Sequence, residues 1–361
     1  MGVVLSRAAM AALLALPAVM LAGCNGLGSP SAQPTVTVTA PVSPAATTTG
    51  GSSIGQGSSS SAPAPGGEPD ILAVTTAGAL VKLDPSSGSV ISTLVPSGVL
   101  GDEVSSNGST VYFTEGAGCH SEVESVNMSG GDLTAIAPGQ LPAISPDGVK
   151  LAWTTEPLMS ETCVPDPAKA SVAATFKIVV KTLSTGGEQI IGLPPSVQRS
   201  QLLPPISHLS WSFDNSALAV STSAVADNEG WALYVVVVGD ARYYVGPNAG
   251  VTDIPLSGGP TPQRSYIREG VFLPDGNFFI SRACCGGVPI QNSSRLLWEV
   301  NLNGGLIHQV AIGYPTLEHY SLDVDPTGKW LLYIGGNDLY VSRDGNRPTD
   351  VAKGLIAAAW S

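Results

Sequence analysis

The sequence predicts an all-β fold, a six-bladed β-propeller, and three observations carry that prediction. A strand–turn–strand unit recurs down the chain, each copy is followed by a second strand pair joined through a glycine turn, and the two ends hold complementary parts of one unit. The unit is plainest in LPAISPDGVKLAW from Leu141, LSWSFDNSALAV from Leu209, VFLPDGNFFIS from Val271 and LDVDPTGKWLLY from Leu322. A looser copy, VSSNGSTVYF, starts at Val104. Short apolar runs broken by Pro-Asp-Gly or Asn-Gly read as strands joined by tight turns. Their repetition at several tens of residues is the mark of a propeller.

Aligning the copies places Gly108, Gly148, Asn215, Gly276 and Gly328 at one turn position. The outer strand pairs are Val123–Met128 before Gly130-Gly131, Lys177–Leu183 before Gly186-Gly187, Leu296–Leu302 before Gly304-Gly305, and Leu339–Ser342 before Asp344-Gly345. In the third repeat, Trp231–Val238 is a strand, while Arg242–Val245 and Val251–Leu256 compete for the last position. At the start, Ile71–Thr76, Leu80–Asp84 and Val90–Leu94 make three strands with no repeat-type first strand before them. At the end, Leu355–Ser361 looks like a first strand with nothing after it. Joined, they make a sixth blade with the C-terminal strand innermost, an arrangement that removes open sheet edges.

Ahead of the repeats the composition changes twice. Arg7 is followed by an apolar run from Ala8 to Met20, too short to span a bilayer comfortably, and so residues 1–23 read as a signal peptide. The run ends at Leu21-Ala22-Gly23-Cys24, which resembles the lipobox of bacterial lipoproteins. That resemblance implies acylation of Cys24, palmitate included, and a lipid anchor on the extracytoplasmic side of the cell membrane. Residues 24–68 are Ser, Thr, Pro, Gly and Ala with almost no large apolar side chain, a composition that cannot bury enough surface to fold. They read as a disordered linker, leaving residues 69–361 for the propeller. The whole chain has 42 Gly, 29 Pro and a net charge of −12. This acidic balance argues against nucleic acid or anionic lipid headgroups as partners.

The Pro-Asp-Gly units with their following Gly-Gly hairpins resemble the PD40 repeats of TolB-like six-bladed propellers. The match is good at Ser145–Gly148 and Leu273–Gly276, and looser at the other three turns. The resemblance implies a protein-interaction module. Some relatives are fused to peptidases, but the repeat region holds no G-x-S-x-G elbow, so no peptidase activity is carried over.

Besides Cys24 there are Cys119, Cys163, Cys284 and Cys285, an even number in an oxidising compartment. Cys119 and Cys163 follow the second strands of adjacent repeats, which predicts a disulfide between two long loops. Cys284 and Cys285 form either a vicinal disulfide or free thiols. No CxxC spacing supports zinc, and neither metal nor cofactor is expected. The acidic residues Glu115, Glu122, Glu124, Glu156, Glu161, Asp166, Asp227 and Glu229 follow second strands and read as a solvated rim, with a cation site as the alternative. A binding face on that side would include Glu115, His120, Glu156, Glu161, Asp227 and Arg282. His208 and His308 read as packed or edge strand residues, while His319 stands near the channel. The inner strands, Leu141–Ile144 and Leu355–Ala359 for example, offer few catalytic groups. The expected function is therefore non-enzymatic: an envelope module binding a protein or other extracytoplasmic ligand. The alternative is an envelope lyase, lactonase or dehydrogenase with its site in the propeller funnel.

Overall fold

The computed structural model describes residues 68–117, 120–155, 177–192, 206–222, 232–239, 243–245, 252–254, 263–284, 296–302, 306–312, 321–343 and 348–361. All regular secondary structure among them is strand, arranged in six antiparallel sheets. Blade I comprises β4 (Val99–Ser106), β5 (Thr110–Ala117), β6 (His120–Asn127) and β7 (Thr134–Pro138). Blade II comprises β8 (Gln140–Ile144), β9 (Lys150–Thr154), β10 (Ile178–Thr182) and β11 (Glu188–Ile191). Blade III comprises β12 (Ile206–Trp211), β13 (Ala217–Thr222), β14 (Ala232–Val237) and β15 (Tyr243–Val245). Blade IV holds β17 (Gln263–Phe272), β18 (Phe278–Cys284), β19 (Leu296–Val300) and β20 (Leu306–Ile312), with β16 (Thr252–Ile254) added to β17. Blade V holds β21 (Leu322–Val324), β22 (Trp330–Gly335), β23 (Asp338–Arg343) and β24 (Thr349–Lys353). The two candidates for the last strand of blade III thus have separate fates: 243–245 takes that position, and 252–254 pairs with blade IV.

The sixth blade joins the two ends as the repeats require. β25 (Leu355–Trp360) is innermost and pairs with β1 (Ile71–Thr75), which is followed by β2 (Leu80–Leu83) and β3 (Val90–Val95). The register sets Ile71 against Trp360, Leu72 against Ala359 and Ala73 against Ala358. The first strands β25, β4, β8, β12, β17 and β21 touch in a closed ring around the channel.

The inner and middle strands bury most of both faces, because each blade is covered on both sides by its neighbours, whereas the outermost β7 and β24 hold no buried residue. In β1, Ile71 and Ala73 pack toward blade V, while Leu72 and Val74 pack toward blade I. Six separate apolar clusters result, one at each blade–blade interface. Tryptophans fill these interfaces, as their strand positions imply: Trp153 between blades I and II, Trp211 between II and III, and Trp360 between V and VI.

The turn alignment is confirmed by backbone geometry. Gly108, Gly148, Asn215, Gly276 and Gly328 all have positive φ, between 61° and 85°. Only glycine, or asparagine at modest cost, takes that conformation readily. The turn acids are structural. Asp147 Oδ1 accepts from Val149 N at 3.0 Å and Ser145 Oγ at 2.6 Å. Asp325 accepts from Thr327 N at 2.9 Å and Trp330 N at 2.8 Å.

Gly88, in the β2–β3 turn, meets a stricter demand. It has φ of 67°, and a Cβ there would lie 2.0 Å from the backbone oxygen of Val351 on blade V. Gly88→Ala therefore needs two blade backbones to separate, and it is expected to cost about 2–4 kcal/mol. A lowered urea midpoint with unchanged slope would register that loss. An unchanged midpoint would show that the interface yields without cost.

Candidate functional site

Among the described side chains, the inner strands place four ionisable groups in the channel: Glu103 on β4, His208 on β12, Glu269 on β17 and Asp323 on β21. The expectation of few such groups holds for β8 and β25 and fails for the other four strands. His208 is packed, as expected of it, but its packing partner is a carboxylate. Its Nδ1 lies 2.7 Å from Glu103 Oε2, so the pair reaches across the channel from blade III to blade I, past β8. Both residues are buried.

The charges in this cluster shape one another. Burial alone would drive the His208 imidazole toward neutrality. The Glu103 carboxylate, helped by the charges of Glu269 and Asp323, reverses that and lifts its pKa to about 9. Burial pushes the Glu103 carboxyl upward, against the pull of His208 and the Leu209 amide. Asp323 is raised to about 7, chiefly by desolvation, while the amides of Trp360 and Val324 work against the rise. Asp323 Oδ2 accepts from Trp360 N at 2.8 Å and Oδ1 from Val324 N at 2.8 Å, so it also fastens β25 to β21. Ser321 Oγ works beside it, donating to Ala358 O at 2.8 Å.

Above the cluster opens a funnel of about 540 Å³. Glu103, His208 and Asp323 form its floor, and Trp211, Phe213, Val271 and Trp360 contribute apolar wall. Asn107, Gly108, Pro146 and Pro326 line it too, so its mouth is on the side of the Pro-Asp-Gly turns. A 2.6 Å ion pair between Lys82 and Asp70 also borders it.

The face favoured from sequence is at the other end of the blades. Glu115 and His120 lie at the ends of β5 and β6 away from the 107–108 turn, where they flank the loop between these strands. His120 is exposed. Glu115 stands opposite Glu122 in the ladder, and Glu124 follows on the same face of β6. Burial, then the hydrogen bond with Glu115 and the charges of Glu115 and Glu122, lift the Glu124 carboxyl to about 7. Glu124 is buried, so at this position the predicted solvated rim turns inward. Among the described residues, no three His, Cys, Asp or Glu side chains converge as metal ligands. Cys24, Cys119, Cys163, Cys285, Glu156, Glu161, Asp227 and His319 lie outside the described residues. Cys284 and Arg282 are placed on β18 and His308 on β20, by backbone alone.

Comparison with solved structures fits this geometry. TolB from Acinetobacter baumannii superposes with a TM-score of 0.54 at 15% identity, covering 81% of this chain and 65% of that one. The fold is a TolB-like six-bladed propeller. This propeller chain thus spans just under two thirds of the TolB chain's length. A chain of a nidogen/laminin complex superposes with a TM-score of 0.52 at 10% identity, over 81% of this chain and 98% of that one. No family model matches the sequence, and no curated protein matches it.

The channel cluster left only a faint trace in sequence. His208 and Asp323 each stand between apolar or small neighbours in a first strand, while Glu103 follows Asp102 and Glu269 follows Arg268, so nothing local singled these acids out.

Proposed function

We propose that this TolB-like propeller is a lipid-anchored, extracytoplasmic binding module of the bacterial cell envelope, and that its ligand, a protein segment or a small molecule, enters the funnel. The observation that carries this reading is the funnel itself, an apolar-walled cavity of about 540 Å³ with a polar floor. Concave, mostly apolar sites with a few convergent polar groups are the usual form of ligand pockets. The floor's chemistry favours binding over hydrolysis. An imidazole held protonated up to about pH 9 is no general base at neutral pH. The Ser105 hydroxyl is committed to Pro142 O at 2.9 Å and to Ile144 N at 3.1 Å, and so is not poised as a nucleophile.

Two measurements test this. Photo-cross-linkers at Asn107 and Phe213, on the turn side, should capture an occupant in the native envelope, while one at His120 should not. Capture at His120 alone would move the binding surface to the opposite face. For the anchor, Cys24→Ala should shift the protein from the detergent phase to the aqueous phase. Unchanged partitioning would remove the lipid anchor from the proposal.

A further inference from the structure

The funnel floor presents one donor without an acceptor, set among carboxyls. His208 spends Nδ1 on Glu103, and its Nε2 is buried with no hydrogen-bond partner among the described residues. The His208 side chain is 5% exposed and it lines the funnel. A buried imidazolium N–H left unpaired forfeits its desolvation cost, so a ligand acceptor atom there gains more than one at an exposed site. Asp323 stands at the same floor, partly exposed. Each of its oxygens accepts one backbone N–H, leaving capacity for a second donor.

Resting on the reading of the funnel as a ligand site, we propose that it receives the free amino terminus of a peptide. The ammonium sits beside Asp323, the first carbonyl oxygen accepts from His208 Nε2, and the first side chain lies against Trp211, Phe213 and Trp360.

Charge selects this class over its competitors. Among the described groups that shift one another in the channel, Glu103, Glu269 and Asp323 act with His208 as the one cation. Lys82, the nearby ammonium of the funnel lining, is paired with Asp70. A carboxylate or phosphate would satisfy Nε2 but would meet the acidic side chains of Glu103 and Asp323 in the lining, with the charge of Glu269 nearby. A lysine or arginine side chain would suit the acids but brings no acceptor next to its charge. An amino terminus supplies both, with ammonium and carbonyl one carbon apart. Among the described side chains, the groups facing the cluster from the inner strands are those four residues, with β8 and β25 contributing no ionisable side chain.

The test uses the full chain in detergent with two probes, leucyl-glycinamide and its N-acetyl derivative, followed by calorimetry. Acetylation removes the charge and should weaken binding about tenfold or more. At about pH 6.5 the bound ammonium should pull Asp323 toward ionisation, so binding should release protons in buffers of differing ionisation enthalpy. Asp323→Asn should abolish both the preference and the proton release. Because Asp323 also holds Trp360 N, proton release by the unsubstituted protein stands as an independent readout. Equal affinity for the two probes would overturn the amino-terminus assignment while leaving the funnel a ligand site. Absence of binding by either probe would overturn it too, and cross-linking from Phe213 then decides separately whether the funnel is occupied at all.

Discussion

Removing residues 355–361 is expected to leave the chain without a cooperative unfolding transition. β25 supplies the inner strand of blade VI and pairs with β1 from Ile71–Trp360 to Thr75–Leu355. Leu355, Ala357, Ala358, Ala359 and Trp360 are all buried, and they contribute to the interfaces with both blade V and blade I. Trp360 Nε1 donates to Trp330 O at 3.1 Å, and Trp360 N is the partner of Asp323. Without the strand, β1 becomes an open edge, two apolar interfaces lose one wall, and the ring no longer closes. The summed loss exceeds the ~5–15 kcal/mol that separates most domains from unfolding. Circular dichroism and a thermal scan of the truncated protein are the check. A sharp transition near the full-length midpoint would show that the other five blades and β1–β3 hold the ring alone. Trp360→Ala is the milder form and should cost about 3–5 kcal/mol through the cavity left between blades V and VI.

The second large effect should come from splitting the channel ion pair. Glu103→Ala leaves the His208 imidazole buried without its counter-ion, a change that costs about 3–5 kcal/mol in comparable buried pairs. Replacing both partners, Glu103→Gln with His208→Gln, should cost much less, since no charge is then left unpaired. The pair also gives stability a definite pH dependence. His208 has a folded pKa of about 9 against an ordinary 6.5, so its contribution is complete below 6.5 and is lost as pH rises through 9. Asp323 acts in the same direction lower down: raised from 3.8 to about 7, it favours the folded state most below 3.8 and loses that advantage as pH rises through 7. Glu103, also raised, has the same sign. Asp214 opposes them at the acid end, because its carboxyl is lowered first by the Ser212 hydroxyl, so its contribution fades as pH falls below 3.8. The stability maximum should therefore lie on the acid side of neutrality. Urea midpoints between about pH 5 and pH 10 should fall, and the alkaline part of the fall should flatten in the double variant. A midpoint that climbs through neutrality would contradict the assignment of a protonated His208.

Much of this architecture was legible in the linear chain because it is local. A Pro-Asp-Gly or Asn-Gly turn carries its own backbone conformation, and the five aligned positions all take positive φ, Asn215 among the glycines. Short apolar runs between those turns marked the strands, and the three unpaired strands at one end matched the lone strand at the other. That β25 would pair with β1 followed from the count of parts, without knowledge of any contact.

Other features came from convergence in space. Residues 252–254 could have ended blade III, but β17 is long enough to pair with them, so they extend blade IV. The funnel opens on the turn side, where inner-strand ends splay around the channel, and not beside Glu115 and His120. Glu103, His208, Glu269 and Asp323 come from four blades and share no spacing motif. Alternation along a strand assigns a side chain to one of two faces, whereas these four meet only because six sheets close around one axis. The shifted protonation of Glu103, His208 and Asp323 has the same origin, since burial and mutual charge belong to the closed ring and to none of the strands alone.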